Sequence, residues 1–235
     1  MSERPRLTVV LPAYDEEALL ESTARGLLAA LEQLLPNSHQ VVLVDDGSCD
    51  RTPEIADRLE AELDALEVVH QANTGIGGAL QAGIARAEGE YLLLWPADMP
   101  CGAADLQPYL EHMGAADVIV GRRRARPGYT PLMKAASWVY PKLVGLLFGL
   151  HLHDVNWICL YRTRHLERLR LSQQGIPMLT EILVKIRDDG GTFLEIPVDP
   201  RARQTGVASA GRLGVRIRTL TGLVQLWRDW RQEVR

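Results

Sequence analysis

Short apolar runs alternate with helical segments along the first 120 residues, and this alternation constrains the fold more than any other feature. Residues 7–11 and 41–44 are aliphatic and rich in Val, which predicts two buried strands. Between them, residues 16–35 carry leucine at helical spacing. The pattern repeats, with predicted helices at 52–63, 77–87 and 104–113 and predicted strands at 67–70, 91–95 and 118–120. Such alternation predicts an α/β fold with a mostly parallel sheet and helices on both faces.

The alternation loosens after residue 121. The predicted elements of this part are a basic loop at 122–129, an apolar helix at 131–150, strands at 157–161 and 192–198, and helices at 180–187 and 212–230. The longest uncharged run of the apolar helix, 143–150, is too short to span a bilayer. We expect one domain over residues 1–210, with residues 211–235 as a C-terminal amphipathic helical extension of it.

Charge is distributed unevenly along the chain, although the net charge is only −4. The first hundred residues hold 18 Asp and Glu against 6 Arg, whereas the last 35 residues hold 2 against 8. Residues 118–153 contain no carboxylate and are also rich in Leu, Trp and Tyr. A basic and apolar surface of this kind binds phosphate or anionic lipid, but a core helix with a solvated basic edge has the same composition.

The overall composition is that of a globular protein. Of the 235 residues, 46% are hydrophobic and 24% are charged, which excludes a disordered tail or a fibre. Cys49, Cys101 and Cys159 are far apart and form no CxxC pair, so we expect reduced thiols and no cysteine-bound metal. Acidic residues follow the N-terminus too soon for a secretion signal. We therefore expect a cytoplasmic protein.

Acidic side chains cluster where the predicted strands end. Glu16 follows the first strand, Asp45 and Asp46 follow the second, and Asp98 follows the fourth. Ligands of open parallel sheets bind beyond this edge, where grouped carboxylates need a divalent cation or hydrogen-bond donors such as a nucleobase or ribose. Each cluster taken separately is also ordinary turn and helix-cap chemistry.

Four segments resemble glycosyltransferase family 2 in their order and spacing: VVLPAYDEE (9–17), VLVDDGSCD (42–50), NTGIGGAL (73–80) and GEYLLLWPADM (89–99). The resemblance covers about residues 6–210 and is greatest to the branch of dolichyl-phosphate mannose synthase and bacterial polyprenyl-phosphate sugar transferases. It implies the GT-A fold, a Rossmann-like domain that binds a nucleotide-diphosphate sugar and a divalent metal.

The resemblance also implies which residues bind the nucleotide. These are Pro12, Ala13, Tyr14, Glu16, Asp45, Asn73, Gly75 and Gly77. Asp45 matches the acid that accepts hydrogen bonds from the base, and Asp46 and Ser48 are expected to shape the turn before the next helix. Gly75 and Gly77 match glycines that let a backbone approach the nucleotide closely.

The metal motif departs from the family pattern. The family's Asp-x-Asp is Pro96-Ala97-Asp98 in this chain, which leaves Asp98 to hold a Mg²⁺ or Mn²⁺ on the diphosphate. The loss of one carboxylate should weaken metal binding or transfer the neutralisation of the leaving group to arginines. Asp98 can also serve as a plain helix cap.

Basic residues after position 120 complete the implied site. By the resemblance, the catalytic residues are Asp98, Arg123 and Arg203, and the residues for an acceptor phosphate are Arg122, Arg123, Lys134 and Ser137. A guanidinium suits this role because it can hold phosphate with two parallel hydrogen bonds. For Arg203, an ion pair with Asp199 or Asp154 is the alternative.

The implied activity is an inverting transfer of a sugar from a nucleotide-diphosphate sugar to a polyprenyl phosphate. That phosphate is already ionised at neutral pH and needs no strong general base, whereas an alcohol acceptor would need one, for which Asp154 is the nearby match. The expected partners are both substrates and the inner face of the cytoplasmic membrane, bound peripherally, and nucleic acid is not expected. The alternatives are a nucleotide-sugar-binding protein that has lost turnover and a glycosyltransferase with a non-lipid acceptor.

Overall fold

A seven-stranded sheet with helices on both faces forms the part of the chain that the structure describes. This structure is a computed structural model that describes residues 4–99, 101–173, 175–199 and 213–233. The strands are β1 (Leu7–Ala13), β2 (His39–Asp45), β3 (Leu66–His70), β4 (Tyr91–Leu94), β5 (Val118–Arg123), β6 (Cys159–Arg162) and β7 (Phe193–Val198). The helices are α1 (Leu20–Leu34), α2 (Thr52–Glu62), α3 (Gly75–Arg86), α4 (Ala103–Glu111), α5 (Pro131–Phe148), α6 (Thr163–Leu166), α7 (Ile176–Asp188) and α8 (Leu213–Glu233).

The sheet is mostly parallel, with the strand order β3-β2-β1-β4-β6-β5-β7. β6 is antiparallel to both of its neighbours, and the other pairs are parallel. β6 therefore begins at the edge where the parallel strands end, and there Gly121 N–H donates to Ile158 O at 3.1 Å. The predicted α/β architecture is confirmed, and the reversed strand is an addition to it.

Strand side chains alternate between two cores, one on each face of the sheet. On β1, Val9 and Leu11 pack in the core that α1, α2 and α4 cover, whereas Val10 faces the opposite core. That second core is covered by α3, α5, α7 and α8, and it includes Ile182 and Leu223. Burial on both faces explains why the strands are continuous aliphatic runs in the sequence.

α5 is a capped helix with one buried and one exposed face. The Thr130 side chain accepts a hydrogen bond from Met133 N–H at 3.3 Å at its start, and Gly149, with φ of 72°, ends it. Trp138 and Leu146 on its outer face are 64% and 81% exposed. Among the described helices, α5 included, none combines the length and the apolarity that crossing a bilayer requires.

Several element boundaries differ from the sequence predictions. α7 begins at Ile176 instead of 180, because Pro177 is tolerated in the first helical turn, where its missing N–H has no partner to lose. β6 begins at Cys159 instead of 157, and β5 extends to Arg123 because it pairs with β7 as far as that residue. The short helix α6 was not predicted. Residues 200–212 lie outside the described residues.

Candidate active site

The ends of β1, β2 and β4 meet at one edge of the sheet. Asp45 at the end of β2 lies opposite Ala13 in the strand register. On the other side of β1, Ala97 N–H donates to Pro12 O at 3.3 Å, so the turn that carries Asp98 also lies beside the end of β1. Two strand spacings amount to about 10 Å. The structure thus brings the loops of Asp45 and Asp98 to within the length of one nucleoside diphosphate.

Asp45, the predicted base-binding acid, is engaged by its own chain. Its side chain is 4% exposed, and its carboxylate accepts a hydrogen bond from Ser48 N–H at 3.1 Å and contacts His70 Nδ1 at 2.9 Å. The other ring nitrogen of His70, Nε2, lies 2.9 Å from Asp57 Oδ1 on α2. The bond to Asp45 and then the bond to Asp57 raise the pKa of His70, because both carboxylates favour the imidazolium.

Asp46 is hydrogen-bonded to the start of α3, whereas the sequence predicted that it shapes the turn before α2. Its buried carboxylate accepts hydrogen bonds from Thr74 N–H at 2.9 Å, Gly75 N–H at 2.7 Å and Gln71 Nε2 at 2.7 Å. A carboxylate is favoured at this point because the first turn of a helix has N–H groups without intrahelical partners and a positive dipole end. The N–H of Gly75, predicted to approach the nucleotide, is therefore bound by Asp46.

The loops after β1 and β2 are hydrogen-bonded to each other. Asp15 N–H donates to Ser48 Oγ at 3.0 Å, and Glu16 N–H donates to Thr52 Oγ1 at 2.8 Å. In the reverse direction, Cys49 N–H donates to Asp15 Oδ1 at 2.7 Å. Ser48 therefore links the two loops, and it also donates its N–H to Asp45 within its own turn.

The other residues predicted to bind the nucleotide lie along the same edge with different exposures. Tyr14 is 47% exposed, and Pro12 is half-buried at the end of β1. Asn73 is exposed in the loop between β3 and α3, whereas Gly77 is buried in the first turn of α3. An aromatic ring and an amide at this edge are therefore open to a ligand.

Asp98 lies half-buried in the turn after β4, within the segment predicted to hold a metal. Among the described residues, no group of three or more His, Cys, Asp or Glu side chains could hold a metal ion. Asp45 and Asp46 are already bonded within the chain. The donor set at this place is thus one carboxylate, which fits Mg²⁺ or Mn²⁺ when diphosphate oxygens and water complete the coordination.

A buried ion-pair cluster joins the end of β5 to the segment before β6. Arg123 makes two bonds to Asp154, at 2.7 and 2.8 Å, and Arg126 adds a third at 3.0 Å. Arg123 also donates to Tyr129 Oη at 3.1 Å and lies 4.6 Å from the ring centre of Trp157. Burial opposes the charge of Arg123, but Asp154 and Tyr129 outweigh that effect and its pKa is raised. One carboxylate between two guanidinium groups leaves the cluster with a net positive charge.

An apolar cavity of about 470 Å³ adjoins this cluster. Its wall is built mainly by α5, with contributions from α7 and α8, and its polar end consists of Arg123, Tyr129, Asp154 and Asn156. Oδ1 of Asn156 at this end, and Nε of Arg126 in the adjoining ion-pair cluster, are buried atoms without a hydrogen-bond partner among the described residues. Buried polar atoms without partners are costly, so this end is suited to a polar ligand group.

The other predicted acceptor-phosphate residues are placed differently. Ser137 lines the cavity, and its hydroxyl donates to Lys134 O at 2.8 Å. Lys134 and Arg122 are exposed and do not line the cavity. Arg122 precedes Arg123 on β5 and so points to the opposite face of the sheet. Arg203 lies outside the described residues.

Sequence reasoning missed the structural partners of the predicted residues. No role was predicted from the sequence for His70, which lies opposite Asp45 in the β2–β3 register. Its position as an ionisable residue at the end of the neighbouring strand was a signal that could have indicated one. Trp157 covers the guanidinium of Arg123. No sequence signal marked Tyr129.

The chain is similar to known glycosyltransferases. Residues 8–179 match the profile of glycosyl transferase family 2. Glycosyltransferase AglD of Haloferax volcanii is 32% identical over 205 residues, which cover 82% of this chain and 32% of AglD. Dodecaprenyl-phosphate galacturonate synthase of Rhizobium johnstonii is 29% identical over 87% of this chain and 62% of that protein. The chain thus spans about a third of the first relative and under two thirds of the second.

Two further matches cover nearly the whole chain. Undecaprenyl-phosphate mannosyltransferase of Micrococcus luteus is 28% identical, and the match covers 96% of this chain and 98% of that protein. Glucosyl-3-phosphoglycerate synthase from Mycobacterium tuberculosis, solved with Mn²⁺, UDP and phosphoglyceric acid, superposes with a TM-score of 0.73 at 18% identity, over 96% of this chain and 79% of that one. The superposition confirms the predicted GT-A fold. The match over residues 8–179 makes this chain a member of glycosyl transferase family 2.

Proposed function

We propose that the protein transfers a sugar from a nucleotide-diphosphate sugar to a polyprenyl phosphate, with inversion at the anomeric carbon. The donor would lie along the edge formed by the ends of β1, β2 and β4, and the acceptor in the cavity beside α5. The observation that carries this proposal is an apolar cavity whose polar end contains Arg123 and a buried Asn156 oxygen without a partner, with Arg126 bonded to Asp154 beside it.

The cavity fits a phosphorylated isoprenoid better than a polar acceptor. Its wall of α5, α7 and α8 side chains offers an apolar surface to the chain of a lipid. The ion-pair cluster of Arg123, Arg126 and Asp154 next to its polar end has a net positive charge. Asn156 provides a further group for phosphate oxygens, since its amide can turn its NH₂ to the ligand. An incoming phosphate would share the two guanidinium groups with Asp154.

The state of Asp154 favours a phosphate nucleophile over an alcohol. An alcohol acceptor needs a general base, and Asp154 is held by three hydrogen bonds from Arg123 and Arg126. Both oxygens of this carboxylate accept guanidinium N–H groups, so an acceptor hydroxyl would have to displace one of them to reach Asp154. A phosphate is already ionised, so Arg123 and Arg126 need only orient it toward the donor sugar.

The edge at the ends of β1, β2 and β4, where the donor would lie, supplies fewer fixed charges than the polar end of the cavity, where the acceptor phosphate would lie. Asp98 would hold a Mg²⁺ or Mn²⁺ together with oxygens of the donor diphosphate, and such an ion would offset the charge of the departing diphosphate. Tyr14 and Asn73 are exposed where the nucleoside would lie, and Asp45 would accept a hydrogen bond from the base. The relatives named for undecaprenyl-phosphate and dodecaprenyl-phosphate transfer support the same pairing of substrates.

Peripheral binding to a membrane is part of the proposal. Exposed apolar side chains occur on two of the helices that line the cavity, at Leu132, Trp138, Val139 and Leu146 of α5 and at Leu220 and Val224 of α8. Lys142 Nζ lies 3.4 Å from the ring centre of Trp138, so cationic and aromatic groups adjoin on the same surface. Such a surface binds anionic lipid, and a lipid acceptor would enter the cavity from that side.

The membrane part is tested by co-sedimentation with phosphatidylglycerol vesicles. We expect the protein to sediment with them, and the double variant Trp138→Ser, Leu146→Ser to stay in the supernatant. Ile76→Ser, which removes an exposed apolar side chain from α3, is the matched control and should sediment like the wild type. Equal sedimentation of all three proteins, or none by the wild type, would contradict peripheral binding through α5.

The transfer reaction is tested with a panel of radiolabelled nucleotide sugars, Mn²⁺ and undecaprenyl phosphate. We expect one nucleotide sugar to give a labelled lipid product, and Ala136→Trp, which fills the cavity, to raise the KM for the lipid at least about tenfold while donor affinity is retained. Ala61→Trp adds the same bulk at an exposed position of α2, outside the cavity, and is the control. Donor binding without any transfer would instead favour a nucleotide-sugar-binding protein that has lost turnover.

A further inference from the structure

A histidine bridges two carboxylates at the predicted nucleotide edge. His70, the last residue of β3, has Nδ1 2.9 Å from Asp45 Oδ2 and Nε2 2.9 Å from Asp57 Oδ1. Asp45 is 4% exposed and Asp57 is 67% exposed, while His70 is 42% exposed between them. His70 therefore connects a buried acid of the nucleotide edge to an exposed acid on the outside of α2.

The double contact requires a protonated ring. A neutral imidazole has one N–H and can donate to one carboxylate, whereas the imidazolium has two N–H groups and can donate to both. The charged groups that act on His70 are Asp45 from β2 and Asp57 from α2, and both raise its pKa. Loss of the proton must break one of the two hydrogen bonds, and a neutral ring that keeps its N–H on Nε2 stays bonded to Asp57 and leaves Asp45 Oδ2 to another donor.

Other charged groups near β3 have partners of their own. On α2, Glu60 accepts from Val68 N–H at 2.7 Å, and Glu54 pairs with Arg51. At the start of β3, Glu67 pairs with Arg86 of α3. Asp46, next to Asp45, is bonded to the first turn of α3. The bridge is therefore a unit of three groups, Asp45, His70 and Asp57.

The bridge occupies the carboxylate that the donor base is proposed to use. Asp45 Oδ1 accepts from Ser48 N–H and Oδ2 is bonded to His70, and the 4% exposure of the side chain leaves little room for a second donor. A base N–H and the His70 ring therefore compete for the same oxygen. Competition of this kind makes nucleotide binding depend on whether the ring holds its second proton.

We propose that His70, fixed by Asp57, is a positioning residue of the nucleotide site: it holds Asp45 while the ring is protonated and releases Asp45 to the base of the donor when the proton leaves to solvent. This inference rests on the proposed function, because it assumes that Asp45 receives the base. His70 itself makes no contact with the reacting atoms.

The sign of the pH dependence follows from this competition. The protonated bridge opposes binding, so affinity for the nucleotide sugar rises as pH increases through the pKa of His70 and levels off above it. By reciprocity, nucleotide binding lowers the pKa of His70 and releases protons. Below that pKa, each unit of pH weakens binding by up to about tenfold.

The test is isothermal titration calorimetry with UDP-glucose and GDP-mannose, whose diphosphates do not titrate between about pH 5.5 and about pH 8, the interval in which a histidine changes charge. In wild-type protein we expect the Kd of the bound nucleotide sugar to fall at least about fivefold across this range, with proton release seen in buffers of different ionisation enthalpy. His70→Gln should bind with a Kd that changes less than about twofold, because glutamine does not titrate. Asp57→Asn should move the transition to lower pH.

Glu60→Gln is the matched control, since it removes one charge from the same helix and its contact is with Val68 N–H. It should keep the wild-type pH profile. A wild-type Kd that does not change with pH, or an unchanged profile in His70→Gln, would overturn the role of His70 and leave the proposed function standing. If neither nucleotide sugar, nor any other in the transfer panel, binds at about pH 8, the proposed function fails and the role of His70 fails with it.

Discussion

Buried carboxylates occur at both ends of the candidate site, and they are satisfied in opposite ways. At the nucleotide edge, Asp46 accepts hydrogen bonds from neutral groups, among them the N–H groups of Thr74 and Gly75. At the acceptor end, Asp154 is bonded to the charged side chains of Arg123 and Arg126. If Asp46 is removed, water can take its place and accept from the neutral donors. If Asp154 is removed, the positive charge of the buried arginine is left without compensation. The two ends should therefore respond differently to the same substitution.

The largest effect is expected at the acceptor end. Asp154→Asn removes the charge that compensates Arg123, which is 9% exposed, and we expect the free energy of unfolding to fall by about 3–5 kcal/mol. Urea denaturation followed by far-UV circular dichroism measures this change. Asp199→Asn is the matched control, because Asp199 pairs with Arg124 and both side chains are exposed, so its loss should cost less than about 1 kcal/mol. Equal losses in the two variants would show that the buried Arg123–Asp154 pair contributes no more to stability than the exposed Arg124–Asp199 pair.

A smaller effect is expected at the nucleotide edge. Asp46→Ala removes an acceptor of several hydrogen bonds at the start of α3, and we expect a loss of about 2–3 kcal/mol in the same denaturation experiment. Asp50→Ala provides the comparison, because Asp50 is more exposed and accepts two backbone hydrogen bonds, from Thr52 N–H at 2.9 Å and from Glu17 N–H at 3.1 Å. Its loss should cost about 1 kcal/mol. A larger loss for Asp50→Ala than for Asp46→Ala would contradict the conclusion that the hydrogen bonds of Asp46 stabilise the start of α3.

The smallest effect is a dependence of stability on pH through His70. Its folded-state pKa is raised above the ordinary value of about 6.5, so its contribution to stability is complete below that value and is lost as pH rises through the folded-state pKa. The ring is partly exposed, and the contribution should not exceed about 1 kcal/mol. Thermal unfolding of wild type and His70→Gln should therefore differ most at about pH 6 and converge toward about pH 8 or above. A difference that grows with pH would contradict the protonated bridge.

Most of the fold could be predicted because the sheet is buried on both faces. Its strands are continuous aliphatic runs, as at 7–11 and 41–44, and the helices between them carry leucine at helical spacing. The direction of β6 could not be predicted, since a four-residue strand with the sequence CLYR has the same pattern in either direction. The start of α7 was misplaced because Pro177 interrupts the apolar periodicity without interrupting the helix.

The candidate site could be predicted only in part. The positions of Asp45 and Asp98 followed from the ends of their strands, which meet at one edge in any parallel sheet. The partners of these groups depend on contacts between distant residues. The Arg123–Asp154 pair joins residues 31 positions apart, and Asp45 and His70 are brought together by the β2–β3 register. Periodicity and local motifs carry no information on such contacts.

The reversal of β6 lets two separate segments of the chain supply the two ends of the candidate site. Because β6 runs against its neighbours, the segment that leads into it, with Asp154 and Trp157, arrives at the same edge where β1 and β2 finish. The nucleotide edge is complete by residue 98, and the cavity is built entirely from residues beyond position 120. Under the proposed function, we therefore expect a graft of residues 122–158 from another family member to change the acceptor preference and to leave the donor preference intact.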